Sequence, residues 1–177
     1  MGLVGFPNAG KSSLLARVSA ARPKIADYPF TTLTPFLGVV RVGEFQSFVM
    51  ADIPGLIEGA HQGAGLGVHF LRHIERTSLL VHLLDLSNDT GRDPREDYQK
   101  ITQELSLYEP GLNSKPQVVA GNKIDLKEAK AKVPELTEHF QELGLPFFPI
   151  SALTGEGVGS LLDYLWQALK ERSLASA

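Results

Sequence analysis

No cysteine occurs among the 177 residues, which excludes disulfides, thiolate nucleophiles and cysteine-ligated zinc and suits a reducing compartment. Long apolar runs are missing too. The longest, Leu79 to Leu86, is broken by His82 and Asp85 and falls far short of the ~20 residues that a helical membrane span needs. Excess charge of one sign is also lacking: 17 basic residues face 20 acidic ones, a net charge of −3. No global basic field therefore exists to recruit nucleic acid or an anionic membrane. Internal repeats and low-complexity tracts are absent, and no signal peptide is expected, because Met1 runs almost directly into a glycine-rich loop. The expectation is a soluble chain, long enough for one compact domain with a sizeable core.

What the chain does have is glycine, 17 in all, gathered into motifs. Gly5, Phe6, Pro7, Asn8, Ala9, Gly10, Lys11 and Ser12 fit the pattern G-x-x-x-x-G-K-S/T. They follow the apolar pair Leu3-Val4 and lead into the helical pattern Ser13 to Val18, the strand–loop–helix setting that gives this pattern its meaning. Gly5 and Gly10 admit backbone conformations closed to residues with a Cβ, so that successive N–H groups can converge on phosphate oxygens. A helix starting near Gly10 adds its positive dipole end. Lys11 is then placed to reach the β- and γ-phosphates, and the Ser12 hydroxyl to ligate Mg²⁺. Only Gly2-Leu3-Val4 precede the loop, short for a strand, and the expectation is a domain excised from a longer chain.

The alternation of elements predicts an α/β fold. Strands are expected at Leu3–Phe6, Phe36–Val42, Phe45–Ala51, Leu79–Leu84, Gln117–Ala120 and Phe147–Ile150, about six in all, with a tight hairpin turn at Gly43-Glu44. Helices are expected at Lys11–Ala21, Arg95–Tyr108, Pro134–Leu143 and Val158–Lys170, with another following the glycines through Arg76. The loop from Arg22 to Pro35, with three prolines, is long enough to be functional. Such a pattern implies a mostly parallel, doubly wound sheet with one antiparallel hairpin strand. Ligands bind such sheets at the carboxyl ends of the strands. Residues 1–172 form the domain, and the small polar tail 173–177 is expected to fray or begin a linker.

The remaining motifs fall at those strand ends. Asp52, Ile53, Pro54 and Gly55 follow a strand; Asp52 can hold Mg²⁺ as a Walker-B carboxylate does, and the Gly55 amide can approach a γ-phosphate. Pro54-Gly55 would make a turn in any case. Asn122, Lys123, Ile124 and Asp125 follow another strand. Guanine offers two adjacent donors and a carboxylate two adjacent acceptors, so Asp125 can form a two-pronged, charge-assisted pair. Adenine lacks both donors and would leave the carboxylate desolvated, a mismatch able to reject it by ~10⁴-fold or more; this disfavours an ATP-dependent enzyme. The Lys123 stem can cover the base, and Asn122 can tie this loop to the phosphate loop. Ser151, Ala152 and Leu153 follow the last strand, where the Ala152 N–H can reach guanine O6. In the long loop, a threonine that ligates Mg²⁺ only while γ-phosphate is present would act as a switch; Thr32 is favoured, Thr31 is the alternative, and Phe30, Leu33 and Thr34 flank them.

The ordered set GFPNAGKS, TT, DIPG, NKID and SAL resembles the five guanine-nucleotide motifs of the translation-factor-related small GTPases. Two stretches, IADYPFTTLTP at 25–35 and DIPGLIEGAHQGAGLGVHFLRHIERT at 52–77, closely resemble the GTPase domain of the bacterial Obg (CgtA) proteins. The resemblance covers essentially the whole chain. It implies a three-layer, Ras-like P-loop domain, cytoplasmic and monomeric, that takes GTP and GDP with Mg²⁺. It further implies association with the large ribosomal subunit during assembly, a part in growth or stress control, and binding of the alarmone ppGpp. Obg proteins carry a glycine-rich domain before the GTPase domain and usually another after it.

One departure bears on mechanism. Ras-like enzymes place a water-orienting glutamine after the D-x-x-G glycine, whereas Leu56 stands here and has no polar group. Hydrolysis is therefore expected to be slow, or to draw on Lys11, Thr32, the Gly55 amide and a K⁺ ion held by Asn8, which would put positive charge where an arginine finger acts. Asn8 also suits a turn on backbone grounds alone. A guanine-nucleotide sensor with incidental hydrolysis remains the alternative to a working GTPase. The segment 55–67, with glycines at 55, 59, 63, 65 and 67, is expected to switch with the bound nucleotide; His61, His69 and His73 read as solvated or core residues, and His61 lies nearest the expected γ-phosphate.

Overall fold

The computed structural model describes residues 1–25, 35–53, 75–108 and 110–175. The expected switch residues Phe30, Thr31, Thr32, Leu33 and Thr34, and Pro54, Gly55, Leu56, His61, His69 and His73, lie outside the described residues. Seven strands form one sheet: β1 (Gly2–Val4), β2 (Lys24–Ile25), β3 (Phe36–Arg41), β4 (Ser47–Asp52), β5 (Leu80–Asp85), β6 (Gln117–Asn122) and β7 (Phe147–Pro149). Their order is β2-β3-β4-β1-β5-β6-β7. The seventh strand beyond the expected count is the two-residue β2, on the outer edge of the hairpin. Only β3 runs against the rest, antiparallel to both β2 and β4.

Among the described residues five helices cover the sheet: α1 (Lys11–Val18), α2 (Pro94–Tyr108), α3 (Lys127–Ala131), α4 (Val133–Glu142) and α5 (Val158–Ala175), with a 3₁₀ turn at Pro110–Ser114. Leu14 and Leu15 of α1 and Val158, Leu161 and Leu165 of α5 pack against Leu3, Met50, Val81 and Val118 on one face. On the other, Ile101 and Leu105 of α2 meet Val4 and Leu80, while Leu136 and Phe140 of α4 meet Leu84 and Val119. A fully buried side chain of this size contributes about 1.5–3 kcal/mol, so the three layers are held together by both faces of the sheet. Every residue of β5 is buried, which is why its sequence is a nearly continuous apolar run and not an alternating one.

Several element boundaries depart from expectation for local reasons. Helix α1 stops at Val18, not Ala21, because the sheet edge captures the chain. Ser19 turns extended, bridges Val40, and the Ala20 N–H donates to Val39 O at 2.7 Å. The hairpin turn spans 42–46 instead of Gly43-Glu44 alone. Arg41 pairs with Ser47, and Val42 N–H donates to Gln46 O at 2.9 Å, leaving Phe45 96% exposed on the turn. Strand β6 runs two residues further than expected because Gly121 and Asn122 still pair with Leu84 and Asp85. A Cβ on Gly121 would lie 2.7 Å from the Phe147 ring, so glycine is what lets the strand continue beneath that aromatic. Helix α5 continues through Ser173 and Leu174 to Ala175, where a frayed tail is expected from composition. The short α3 has no counterpart among the predicted helices.

Candidate functional site

The carboxyl ends of β1, β4, β5, β6 and β7 open on one side of the sheet, and polar residues gather there. The loop after β1 closes tightly. The Ala9 N–H donates to Phe6 O at 3.3 Å, and Gly10 takes φ 103 as the N-cap of α1. Its missing Cβ would stand 2.2 Å from Asn122 Nδ2, so only glycine allows that side chain its place. Gly5 is needed for another reason, since a Cβ there would meet Leu83 O at 2.5 Å. Pro7 and Asn8 are exposed, and Asn8 adopts φ 65, a left-handed conformation that asparagine tolerates better than most residues. This backbone geometry alone explains an asparagine at position 8.

Lys11 lies back across the loop, its ammonium donating to Gly5 O at 3.0 Å and Phe6 O at 3.2 Å. Burial pushes its pKa below the ordinary lysine value, with the Asp52 carboxylate opposing that shift. The side chain is thus held over the cradle by carbonyl groups that phosphate oxygens would replace. Ser12, one residue on, donates its hydroxyl to Asp52 Oδ2 at 2.8 Å. Asp52 ends β4 and is 5% exposed, and its Oδ1 is buried without a hydrogen-bond partner. A hydroxyl and a carboxylate with one unsatisfied oxygen, beside the phosphate loop, are hard oxygen donors of the kind Mg²⁺ prefers, with phosphate and water able to complete its shell. The residues fit the ion. Ile53, beside Asp52, is core: it is 1% exposed and its N–H donates to Leu3 O at 3.2 Å.

Asn122 joins the two halves of the site. Its Nδ2 donates to Ala9 O at 2.8 Å in the phosphate loop, and its Oδ1 accepts the Ala152 N–H at 2.9 Å in the loop after β7. The tie from Asn122 to the phosphate loop is therefore observed. The Ala152 amide, expected to reach guanine O6, donates here to the buried Asn122 carboxamide oxygen, which needs a donor.

Lys123 takes φ 77 and its ammonium reaches Asp85 Oδ2 at 2.6 Å. Burial pushes the Asp85 carboxyl up, but bonds from Lys123 and from the Ser87 hydroxyl and amide outweigh it and hold it below the ordinary carboxylate value. Ile124 is buried, its N–H donating to Ile150 O at 3.2 Å. Asp125 is exposed, and its Oδ1 accepts the Ser151 hydroxyl at 2.6 Å. Leu153, 74% exposed, stands at the rim. Between these loops lies a cavity of about 620 Å³ lined by Asn8, Gly10, Asn122, Lys123, Asp125 and Leu153.

Four contributors were not singled out in the sequence. Asp85 had a signal, since it is the lone carboxylate closing an otherwise apolar buried strand, and Ser87 follows two residues later. Arg17 of α1 had none; it lines the cavity and donates to the carbonyls of Ala152 and Leu153. Arg92, in the loop before α2, stacks 4.6 Å above the Phe6 ring while bonding Asp97 at 2.9 Å, bracing the phosphate loop from outside.

A parallel sheet whose strand ends carry a phosphate cradle, a serine–aspartate pair for a cation and a carboxylate-bearing base loop defines a P-loop GTPase domain. The chain belongs to the 50S ribosome-binding GTPase family, whose model matches residues 1–123, and stands there with the Obg GTPases. It is 59% identical over 165 residues to GTPase Obg of Thermodesulfovibrio yellowstonii, covering 93% of this chain and 49% of that protein. With GTPase Obg of Caldanaerobacter subterraneus subsp. tengcongensis it shares 63% identity over 163 residues, 92% of this chain and 38% of that one. The chain thus spans about half or less of the length of these relatives. The crystal structure of the G domain of the T. maritima FeoB iron transporter aligns with a TM-score of 0.67 at 23% identity over 92% of each chain, a likeness of fold alone. Among the described residues no helix is long and apolar enough to cross a membrane.

Proposed function

We propose that this chain is the nucleotide-dependent switch of a cytoplasmic Obg protein, binding GTP with Mg²⁺ and hydrolysing it to GDP and phosphate. The Asn122 bridge is the observation that carries the reading. One side chain bonds both the phosphate loop and the base loop, so the two ends of a single nucleotide are addressed together. Lys11 would exchange its carbonyl partners for phosphate oxygens, and the amides around Gly10 would accept the charge that grows there as water attacks the γ-phosphorus and the β–γ bond breaks. Ser12 and Asp52 would hold Mg²⁺, with Thr32 joining in the GTP state; the ion supplies positive charge to the phosphate oxygens when bound. Asp125 would read guanine N1–H and the 2-amino group, with Ser151 setting its orientation and Lys123 covering the base.

The family description supports a partner in the large ribosomal subunit; ppGpp as a competing ligand and K⁺ near Asn8 as a further cation belong to the same proposal. Turnover of GTP in Mg²⁺, with and without 50S particles, tests the function; hydrolysis that 50S particles accelerate is expected. Leu56 favours a second reading, a sensor of GTP, GDP and ppGpp whose output is partner affinity. A rate that stays negligible in both conditions selects the sensor. Co-sedimentation of this chain with 50S particles, beside the full-length protein, shows whether the switch alone carries the partner contact. Loss of GTP preference in favour of xanthosine triphosphate in Asp125→Asn tests the base assignment.

A further inference from the structure

We infer that Arg17 is a latch that sets the lifetime of bound guanine nucleotide, a role that rests on the guanine-binding reading above. Arg17 lies near the carboxyl end of α1, the helix whose first residues are Lys11 and Ser12. A basic residue in a last helical turn usually serves the helix dipole, yet this one leaves its own helix. Its Nε donates to Ala152 O at 2.5 Å and its Nη2 to Leu153 O. Gly155 makes room for the guanidinium, since a Cβ there would lie 3.1 Å from Arg17 Nη1. The planar fork therefore holds two successive carbonyls of the loop after β7, a geometry that arginine provides and lysine does not.

Few other long-range bonds hold that loop. Ser151 N–H and Gly155 N–H close it on itself through Glu156 O and Ser151 O. Beyond Asn122 and the Ser151–Asp125 bond, an exposed ion pair between Glu156 and Lys130 at 3.0 Å is its further tie, and such pairs contribute little. Leu153 and Ala152 form one wall of the cavity, and Arg17 itself lines it. Bonds from a charged donor are among the stronger ones, so Arg17 holds this wall in place beside the base. Because its bonds fall on the loop after β7, at the base side of the cavity, the latch slows the departure of GDP and GTP alike. Arg17 is thus a positioning residue and not a catalytic one.

Stopped-flow release of mant-GDP and of mant-GTPγS from the native chain and from Arg17→Ala tests this directly. Both nucleotides should leave roughly tenfold faster from the variant, by the same factor. Arg17→Lys keeps the charge without the fork, and its release should fall between the two with a native melting temperature. Native release rates in Arg17→Ala overturn the latch, as does an acceleration confined to the triphosphate. A native chain that retains no mant-GDP at all overturns the guanine reading and the latch with it.

Discussion

The Ser151 hydroxyl donates to Asp125 Oδ1 at 2.6 Å, joining the end of β7 to the loop after β6. Ser151 is fully buried while Asp125 is exposed, so a fixed group aims a mobile one. A carboxylate that is to pair with two donors of guanine must lie in the plane of the base. Ser151 orients it before any base arrives, lowering the ordering cost of binding.

Ser151→Ala should therefore weaken GDP and GTP binding by about fivefold, the cost of about 1 kcal/mol for a partly exposed hydrogen bond to a charged group. Preference for guanine over adenine should remain, since Asp125 itself is intact. Equilibrium titration with mant-GDP checks this, and native affinity would remove Ser151 from the site.

Asp85→Asn is expected to act through Lys123. The ammonium loses its ion pair at 2.6 Å, and the long stem that should cover the base is no longer pinned. Both nucleotides should bind roughly tenfold more weakly, the loss of a charged hydrogen bond, with little change in hydrolysis once GTP is bound. Isothermal titration beside a single-turnover assay separates the two effects.

Asn8 stands at φ 65, where alanine would be strained and glycine would not. Asn8→Gly thus removes the carboxamide and keeps the backbone. If that carboxamide holds K⁺ beside the phosphates, single-turnover hydrolysis by the native chain should be faster in K⁺ than in Na⁺ by roughly tenfold or more, and Asn8→Gly should show no such preference. Equal native rates in the two salts would leave Asn8 with its backbone role alone.

His82 provides a pH signature unconnected with nucleotide. Burial in the middle of β5 pushes its pKa from 6.5 down to about 4, and its ring packs 4.9 Å from that of Tyr98. The unfolded chain then takes up the proton first as pH falls. Stability is complete above pH 6.5 and declines as pH drops towards 4, by about 3 kcal/mol over that window. Urea midpoints measured across it should fall steeply for the native chain and less steeply for His82→Leu, which lacks the buried imidazole.

The sheet and the motif loops were legible because strict rules govern them. A buried parallel strand must be apolar throughout, as Leu80–Asp85 nearly is, and a phosphate cradle needs glycine where Gly5 and Gly10 stand. Element ends were less legible because distant groups decide them. Val39 and Val40 end α1 by bonding Ala20 and Ser19, and no local feature of 19–21 announces this. The same holds for the supporting residues: Arg17 acts 135 positions away from Ala152, and periodicity carries no information at that range. The bond from the Ala152 amide to Asn122 was not legible for the same reason, since the two residues stand 30 positions apart.

Gly10 and Asn122 also constrain how such a chain can change over generations. The carboxamide of Asn122 occupies the space where any side chain at position 10 would begin, 2.2 Å from its Cβ, while bonding Ala9 from 113 residues away. A mutation that gives position 10 a side chain expels the group joining the phosphate loop to the base loop, and a mutation of Asn122 leaves the narrow space at Gly10 without its occupant. A change at either position is therefore expected to be tolerated only together with a change at the other.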